Sequence, residues 1–278
     1  MAQPFIGSEA VANRRLTTYA LARRYDRLFR DVYCPRDSAT ALVRAKAAWL
    51  WSKRRGVVAG FSASALHGSK WIDASQAAEL IYSNRHPQPG LLVHGDRLAE
   101  DEVLVIDGMK VTTPERTALD LACWHSLSQA VPTIDALMRA TGIRAADLEF
   151  PVARYPGRRG IVSARAAIGL VDAGAQSPKE TWLRLLLVDA GLPRPHTQIP
   201  VANEFGEPIA YLDMGWPELK LAVEYDGDHH RTSRSQYSYD RRRLEMLRRK
   251  GWLVVVVTAD DRPADVLRRV REARSARS

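Results

Sequence analysis

Asp213 and Glu224 are the residues whose type and spacing first point to chemistry. They lie in successive runs of strand character, Pro208 to Met214 and Leu219 to Tyr225, joined by the short turn Trp216-Pro-Glu218. A connection that tight brings both carboxylates to one end of a sheet. Converging carboxylates repel one another, and a hard divalent cation, Mg²⁺ or Mn²⁺, relieves that repulsion while keeping some of its waters. Such an ion polarises a phosphoryl oxygen and lowers the pKa of an attacking water, so Asp213 and Glu224 as metal ligands imply phosphodiester hydrolysis. The segment continues Tyr-Asp226-Gly-Asp-His229-His230. Asp226 with Gly227 equally fits a turn, and Asp213 equally fits a strand end.

The surrounding elements must position these groups. Ser177-Pro178-Lys179-Glu180 has the order of a capping box, with Glu180 as its reciprocal half, and opens a helix to about Ala190 that Gly191 stops. Strands follow at Thr197 to Val201, Pro208 to Met214 and Leu219 to Tyr225. A loop over Gly227 to Ser235, a basic helix from about Gln236 to Lys250, and an apolar strand from Trp252 to Val257 complete the order helix, three strands, helix, strand. Gln236, Asp240 and Arg243 fall near one another on the basic helix, either as a solvated network or beside the carboxylates. The cations of that helix suit a nucleic-acid backbone.

Composition bounds the partners. Lys and Arg number 41 against 32 Asp and Glu, a formal charge of +9, and hydrophobic residues make up 46%. That is a globular composition with an excess of charge that favours polyanions, nucleic acid first among them. Leu253 to Val257, the longest aliphatic run, is far short of the roughly 20 residues that span a bilayer. The first residues lack a cationic start followed by an apolar core, so a cytoplasmic address and no membrane are expected. Cys34 and Cys123 have no partners at zinc-finger spacing and read as ordinary buried thiols.

At the other end of the chain, Ser8 to Asn13 and Thr18 to Tyr25 read as short helices separated by a turn at Arg14 to Thr17, with Thr17 or Thr18 as N-cap. That spacing fits a helix-turn-helix, and Leu28 to Tyr33 fits a small wing strand after it. Arg14, Arg15, Arg23 and Arg24 are placed to contact phosphates, or else to form a solvated basic surface. Ala39 to Trp51 reads as a packing helix that ends at Lys53-Arg54-Arg55-Gly56. Strand character recurs at Glu79 to Tyr82, Leu91 to His94 and Val103 to Val111, and His67 reads as structural. Thr113-Pro-Glu-Arg116 opens a further helix in which Arg116 pairs with Asp120 one turn on. Helical patterning continues to Asp172, interrupted by a loop at Arg154 to Gly160.

Residues 177 to 258 resemble the PD-(D/E)XK nuclease superfamily, especially its very-short-patch-repair endonuclease branch. The resemblance assigns Glu180 to the early acidic position, Asp213 and Glu224 to the metal, and His230 or its neighbour His229 to proton transfer or leaving-group stabilisation. It sets Gln236 and Arg243 beside the site. Asp226 stands where the superfamily often has lysine. Residues 8 to 120 resemble the AbiEi family of antitoxins through Ser62-Ala-Ser-Ala-Leu-His-Gly and Thr112-Thr-Pro-Glu-Arg-Thr-Ala-Leu-Asp-Leu. That resemblance implies a DNA-binding winged helix, an α/β region and a cognate toxin as partner, with Asp31 where the family often has glycine.

The combined expectation is an α/β, overall α+β, protein: a winged helix over 1–58, an AbiEi-like region over 59–173 and a nuclease-like domain over 174–278. Two functions remain open. One is a Mg²⁺-dependent DNA endonuclease; the other is an antitoxin or transcriptional regulator whose nuclease fold is inactive.

Overall fold

The computed structural model describes residues 3–84, 88–227 and 234–277, and residues 234–240 by their backbone only. The chain is an α+β protein with two compact units, Met1–Val171 and Asp172–Ser278.

In the first unit, β1 (Phe5–Ile6) leads into α1 (Gly7–Ala12) and α2 (Thr18–Arg24). The Thr17 hydroxyl accepts the Ala20 amide at 3.1 Å, which satisfies an open donor of the first turn and fixes where α2 begins. β2 (Tyr25–Phe29) and β3 (Val32–Pro35) follow as an antiparallel hairpin, and β1 joins β3 to give the order β1-β3-β2. The single strand expected from Leu28 to Tyr33 is thereby corrected, because the chain reverses at Arg30-Asp31. Asp31 holds a left-handed φ of 62°. It can replace glycine there because its carboxylate accepts the amide of Ser8 at 2.8 Å and the Ser8 hydroxyl, capping α1.

Thr40 caps α3 (Ala41–Trp51), which precedes β4 (Val57–Val58), α4 (Gly60–Leu66), β5 (Ala78–Ile81), β6 (Leu91–His94), β7 (Val103–Ile106) and β8 (Met109–Thr112). These strands form a mixed sheet of order β6-β5-β4-β8-β7. The run from Val103 to Val111, expected as one strand, is a hairpin. Asp107 and Gly108 both take positive φ, 48° and 78°, the geometry for which an Asp-Gly pair is the sequence signal. One apolar core joins Ile6, Phe29 and Val32 to Ala45 and Leu50 of α3 and to Leu80 and Val111 of the larger sheet, so it runs across residue 58. Helices α5 (Pro114–Trp124), α6 (Leu127–Thr141), α7 (Glu149–Arg154) and α8 (Ile161–Leu170) complete the unit.

The second unit consists of α9 (Pro178–Asp189), β9 (His196–Ala202), β10 (Pro208–Trp216), β11 (Leu221–Asp226), α10 (Arg234–Arg249), β12 (Leu253–Thr258) and α11 (Pro263–Ser275). The order read from the sequence is present, with α11 added. Pro263 at its first turn and the pair Val266 and Val270, buried one turn apart, are the signals that mark α11. The sheet order is β12-β11-β10-β9, with β11 and β12 parallel and the other neighbours antiparallel. Leu183 and Leu187 of α9 share a core with Val266 and Val270 of α11, whereas Leu247 of α10 packs with Ile199, Leu212 and Ala222. Helices thus cover both faces of the sheet.

Gly60 is the glycine that the first unit most needs. Its φ is +53°, and a Cβ there would lie inside the van der Waals envelope of the buried Glu79 carboxylate. Gly60→Ala is expected to lower unfolding stability by on the order of 3 kcal/mol. Gly108→Ala, at φ +78° in open space, should cost only about 1 kcal/mol. Chemical denaturation of both variants checks this, and equal losses would refute the steric account.

Candidate functional site

β10 and β11 pair with Met214 opposite Val223 and Trp216 opposite Leu221, across the tight connection at Pro217–Leu219. That register brings Asp213 and Glu224 to neighbouring positions, as the strand reading expects. The Asp213 Oδ2 accepts the Tyr225 amide at 2.9 Å. Glu180, at the third position of α9, is the third carboxylate of the group. Burial pushes the Asp213 carboxyl up to about 7, reinforced by the charges of Glu180 and Glu224 and opposed by the Tyr225 amide and Arg243. The three carboxylates therefore interact in a largely desolvated place.

Glu180 accepts the Gln176 amide at 2.8 Å and the Ser177 hydroxyl at 3.0 Å, while its own amide donates to the Ser177 hydroxyl oxygen. Its capping role is thus realised, with the Gln176 amide in place of that of Ser177. Both oxygens of Glu224 accept from the Arg243 guanidinium, at 2.7 and 2.6 Å, and the same guanidinium also donates to the Tyr211 carbonyl at 2.8 Å. Arg243, expected as a phosphate contact, is in this geometry committed to a carboxylate. Such a fork replaces a cation as the counter-charge of Glu224.

Mg²⁺ or Mn²⁺ would need several of these oxygens turned to one point. Among the described residues, no three His, Cys, Asp or Glu side chains are grouped so as to hold a metal ion. Within the described residues, Glu224 is paired with Arg243 rather than open to an ion. Asp226 lies at the end of β11, half-buried, in register with Thr258 of β12. His229 and His230 lie outside the described residues, and Gln236 and Asp240 lie on α10 where only the backbone is described.

On the first unit, Arg14 and Arg15 occupy the turn between α1 and α2, with Arg14 at a left-handed φ of 53°. Arg23 and Arg24 form the last turn of α2. All four are exposed, and Arg23 is steadied by a 2.8 Å hydrogen bond to the Tyr19 hydroxyl. The later run behaves differently. Arg54 forms a bidentate pair with Glu9 of α1 at 2.8 and 2.7 Å, and Lys53 approaches Asp31 in the β2–β3 turn at 3.9 Å, both pairs open to solvent.

Sequence reasoning missed a buried polar cluster in the same unit. Glu79, fully inaccessible on β5, accepts from the Phe61 amide at 2.6 Å through one oxygen and meets His125 at 3.0 Å and His94 at 3.3 Å through the other. Burial would raise its carboxyl, but the hydrogen bonds from His125 and His94 outweigh it and hold the group below its ordinary range. A lone Glu in an apolar strand, Ala-Glu-Leu-Ile, was the available signal. His67 is structural as expected: its Nε2 meets the Thr112 carbonyl at 2.8 Å, and burial lowers its pKa.

Residues 58–170 match the family described as the AbiEi antitoxin C-terminal domain. The match overlaps the resemblance read over residues 8 to 120 from residue 58 onward and extends beyond it through α8, whereas residues 8 to 57 lie outside it. Two uncharacterized proteins from different strains of Mycobacterium tuberculosis are each 34% identical over 178 residues, covering 63% of this chain and 64% of each relative. The similarity thus spans less than two thirds of those relatives' length. No solved structure matches significantly. Among the described residues, no helix is long and apolar enough to cross a membrane.

The raised Asp213 carboxyl makes a pH prediction. An aspartate ionises near 3.8 when unperturbed and near 7 here, so its contribution to stability is fully present below the lower value and is lost as pH rises through 7. Asp213→Asn retains an acceptor for the Tyr225 amide without the charge. It is expected to be more stable than wild type by about 2 kcal/mol at pH 8, less than the full shift implies because the site is partly wet, with the gain shrinking toward pH 4. Urea denaturation across that range is the check, and parallel pH profiles for the two proteins would contradict it.

Proposed function

We propose that this protein is a DNA-binding regulator of the antitoxin type. Its first residues form the DNA contact as a winged helix, and the region around the five-stranded sheet receives a cognate toxin. The observation that carries the reading is the match of residues 58–170 to an antitoxin domain, joined through one apolar core to the strand and hairpin that flank the two short helices. The exposed Arg14, Arg15, Arg23 and Arg24 supply the phosphate contacts, and the Arg30-Asp31 turn supplies the wing tip.

A second reading, Mg²⁺-dependent phosphodiester hydrolysis, draws on the convergence of Glu180, Asp213 and Glu224 in a unit with the expected order of helices and strands along the chain. It ranks below the first because Arg243 occupies the carboxylate that a metal would need. In this proposal the second unit serves as a binding platform rather than as a nuclease.

Gel retardation with the DNA upstream of the protein's own gene is expected to show retention by the full chain. The double variant Arg23→Ala, Arg24→Ala should bind at least about tenfold more weakly, with a salt slope shallower by about 2. Incubation with plasmid and single-stranded DNA in Mg²⁺ or Mn²⁺ should leave both intact. Cutting by wild type that disappears in Asp213→Ala would reverse the order of the two readings, and unchanged retention by the double variant would displace the DNA contact from α2.

A further inference from the structure

A cavity of about 480 Å³ lies in the first unit between α1, the turn after it, the start of β2 and α3. Phe5, Leu16, Tyr25 and Leu50 line its interior, and the Phe5 and Tyr25 rings meet edge to face at 5.0 Å. Its volume falls within the usual range for small-molecule sites, about 300 to 1,000 Å³, and it opens to solvent.

The polar groups define the ligand. Arg15, Arg54 and Glu9 also line the cavity, two guanidiniums against one carboxylate. The Arg54 fork holds both oxygens of Glu9, yet the two side chains are 44% and 48% exposed. An ion pair that wet is held weakly and exchanges partners readily. A carboxylate entering with its apolar body among Phe5, Leu16 and Tyr25 would offer Arg54 the same planar geometry that Glu9 now supplies.

We infer that this cavity binds a small aromatic carboxylic acid, whose carboxylate displaces Glu9 from Arg54 and whose ring packs beside Phe5 and Tyr25. Such a ligand touches Asn13 and Arg15, within the turn that precedes α2. The site thus adjoins the proposed DNA contact, but its occupancy requires no DNA, so failure of a binding test would leave the regulator reading untouched.

Phenylacetate serves as the probe, titrated into the full chain by ligand-observed NMR or calorimetry. Saturable binding with Kd in the region of about 1 mM or tighter is expected. Phenethylamine, which has the same ring on a cationic head, should not saturate. Arg54→Ala should weaken phenylacetate at least about tenfold, with circular dichroism checking that α1 is retained. Glu9→Gln should strengthen it about threefold or more, because the competing carboxylate is gone. That arm moves opposite to any loss caused by a loosened fold. Absence of saturation by phenylacetate, equal binding of phenethylamine, or weaker binding by Glu9→Gln would each overturn the site.

Discussion

The guanidinium of Arg116, only 1% exposed, sits between Asp120 at 2.8 Å and Glu102 at 2.6 Å. An unpaired charge in such a place would cost several kcal/mol, so each partner must be delivered to it by the fold. Asp120 comes from the same helix one turn on, and Glu102 from the turn before β7. Arg158, from the loop between α7 and α8, shares Asp120 at 2.6 Å and reaches Asp96 at 3.0 Å. Tyr155 donates to Glu102 at 2.7 Å and lies beneath the Arg116 guanidinium. The placement of α5 beside the turn before β7, and the course of the loop before α8, therefore depend on one set of compensated charges.

The same rule governs both units. Glu79 is tolerated inside the first because an amide and two imidazoles surround it, and Glu224 in the second because Arg243 does. The consequences differ. Glu79 is held from three directions by β6, α4 and the end of α5, which makes it a fixed structural joint. In the group around Asp213, Glu224 is paired with Arg243 of α10, Glu180 with the Gln176 amide and the Ser177 hydroxyl, and Asp213 is pushed up to about 7. A cluster of this kind has the composition of a hydrolytic centre but the counter-charge of a closed ion pair. Composition alone therefore argues for catalysis more strongly than the geometry does.

The helix starts were legible in the sequence because they rest on contacts between residues a few positions apart. Thr17, Thr113 and Ser177 each cap the helix that their spacing marks. The order of helices and strands along the second unit was legible for a similar reason, since its apolar runs are bounded by turns. Two hairpins were read as single strands, at Leu28 to Tyr33, where the turn residue Asp31 takes positive φ without a glycine to mark it, and at Val103 to Val111, despite the Asp107-Gly108 turn signal.

What the chain by itself determined is its alternation of helices and strands, its excess of cationic charge and the identity of the carboxylates that converge at β10 and β11. Those follow from periodicity, capping chemistry and strand adjacency, all of which act over short separations. Only the tertiary structure decided which cations are left for a polyanion. Arg54 meets Glu9 in an exposed pair, Arg243 is held by Glu224 and Arg116 by Asp120 and Glu102, whereas Arg14, Arg15, Arg23 and Arg24 remain at the surface. The physical reason is that a guanidinium pairs with whichever carboxylate folding brings within about 3 Å of it, and in the pairs Arg54–Glu9 and Arg243–Glu224 that partner lies far away along the chain.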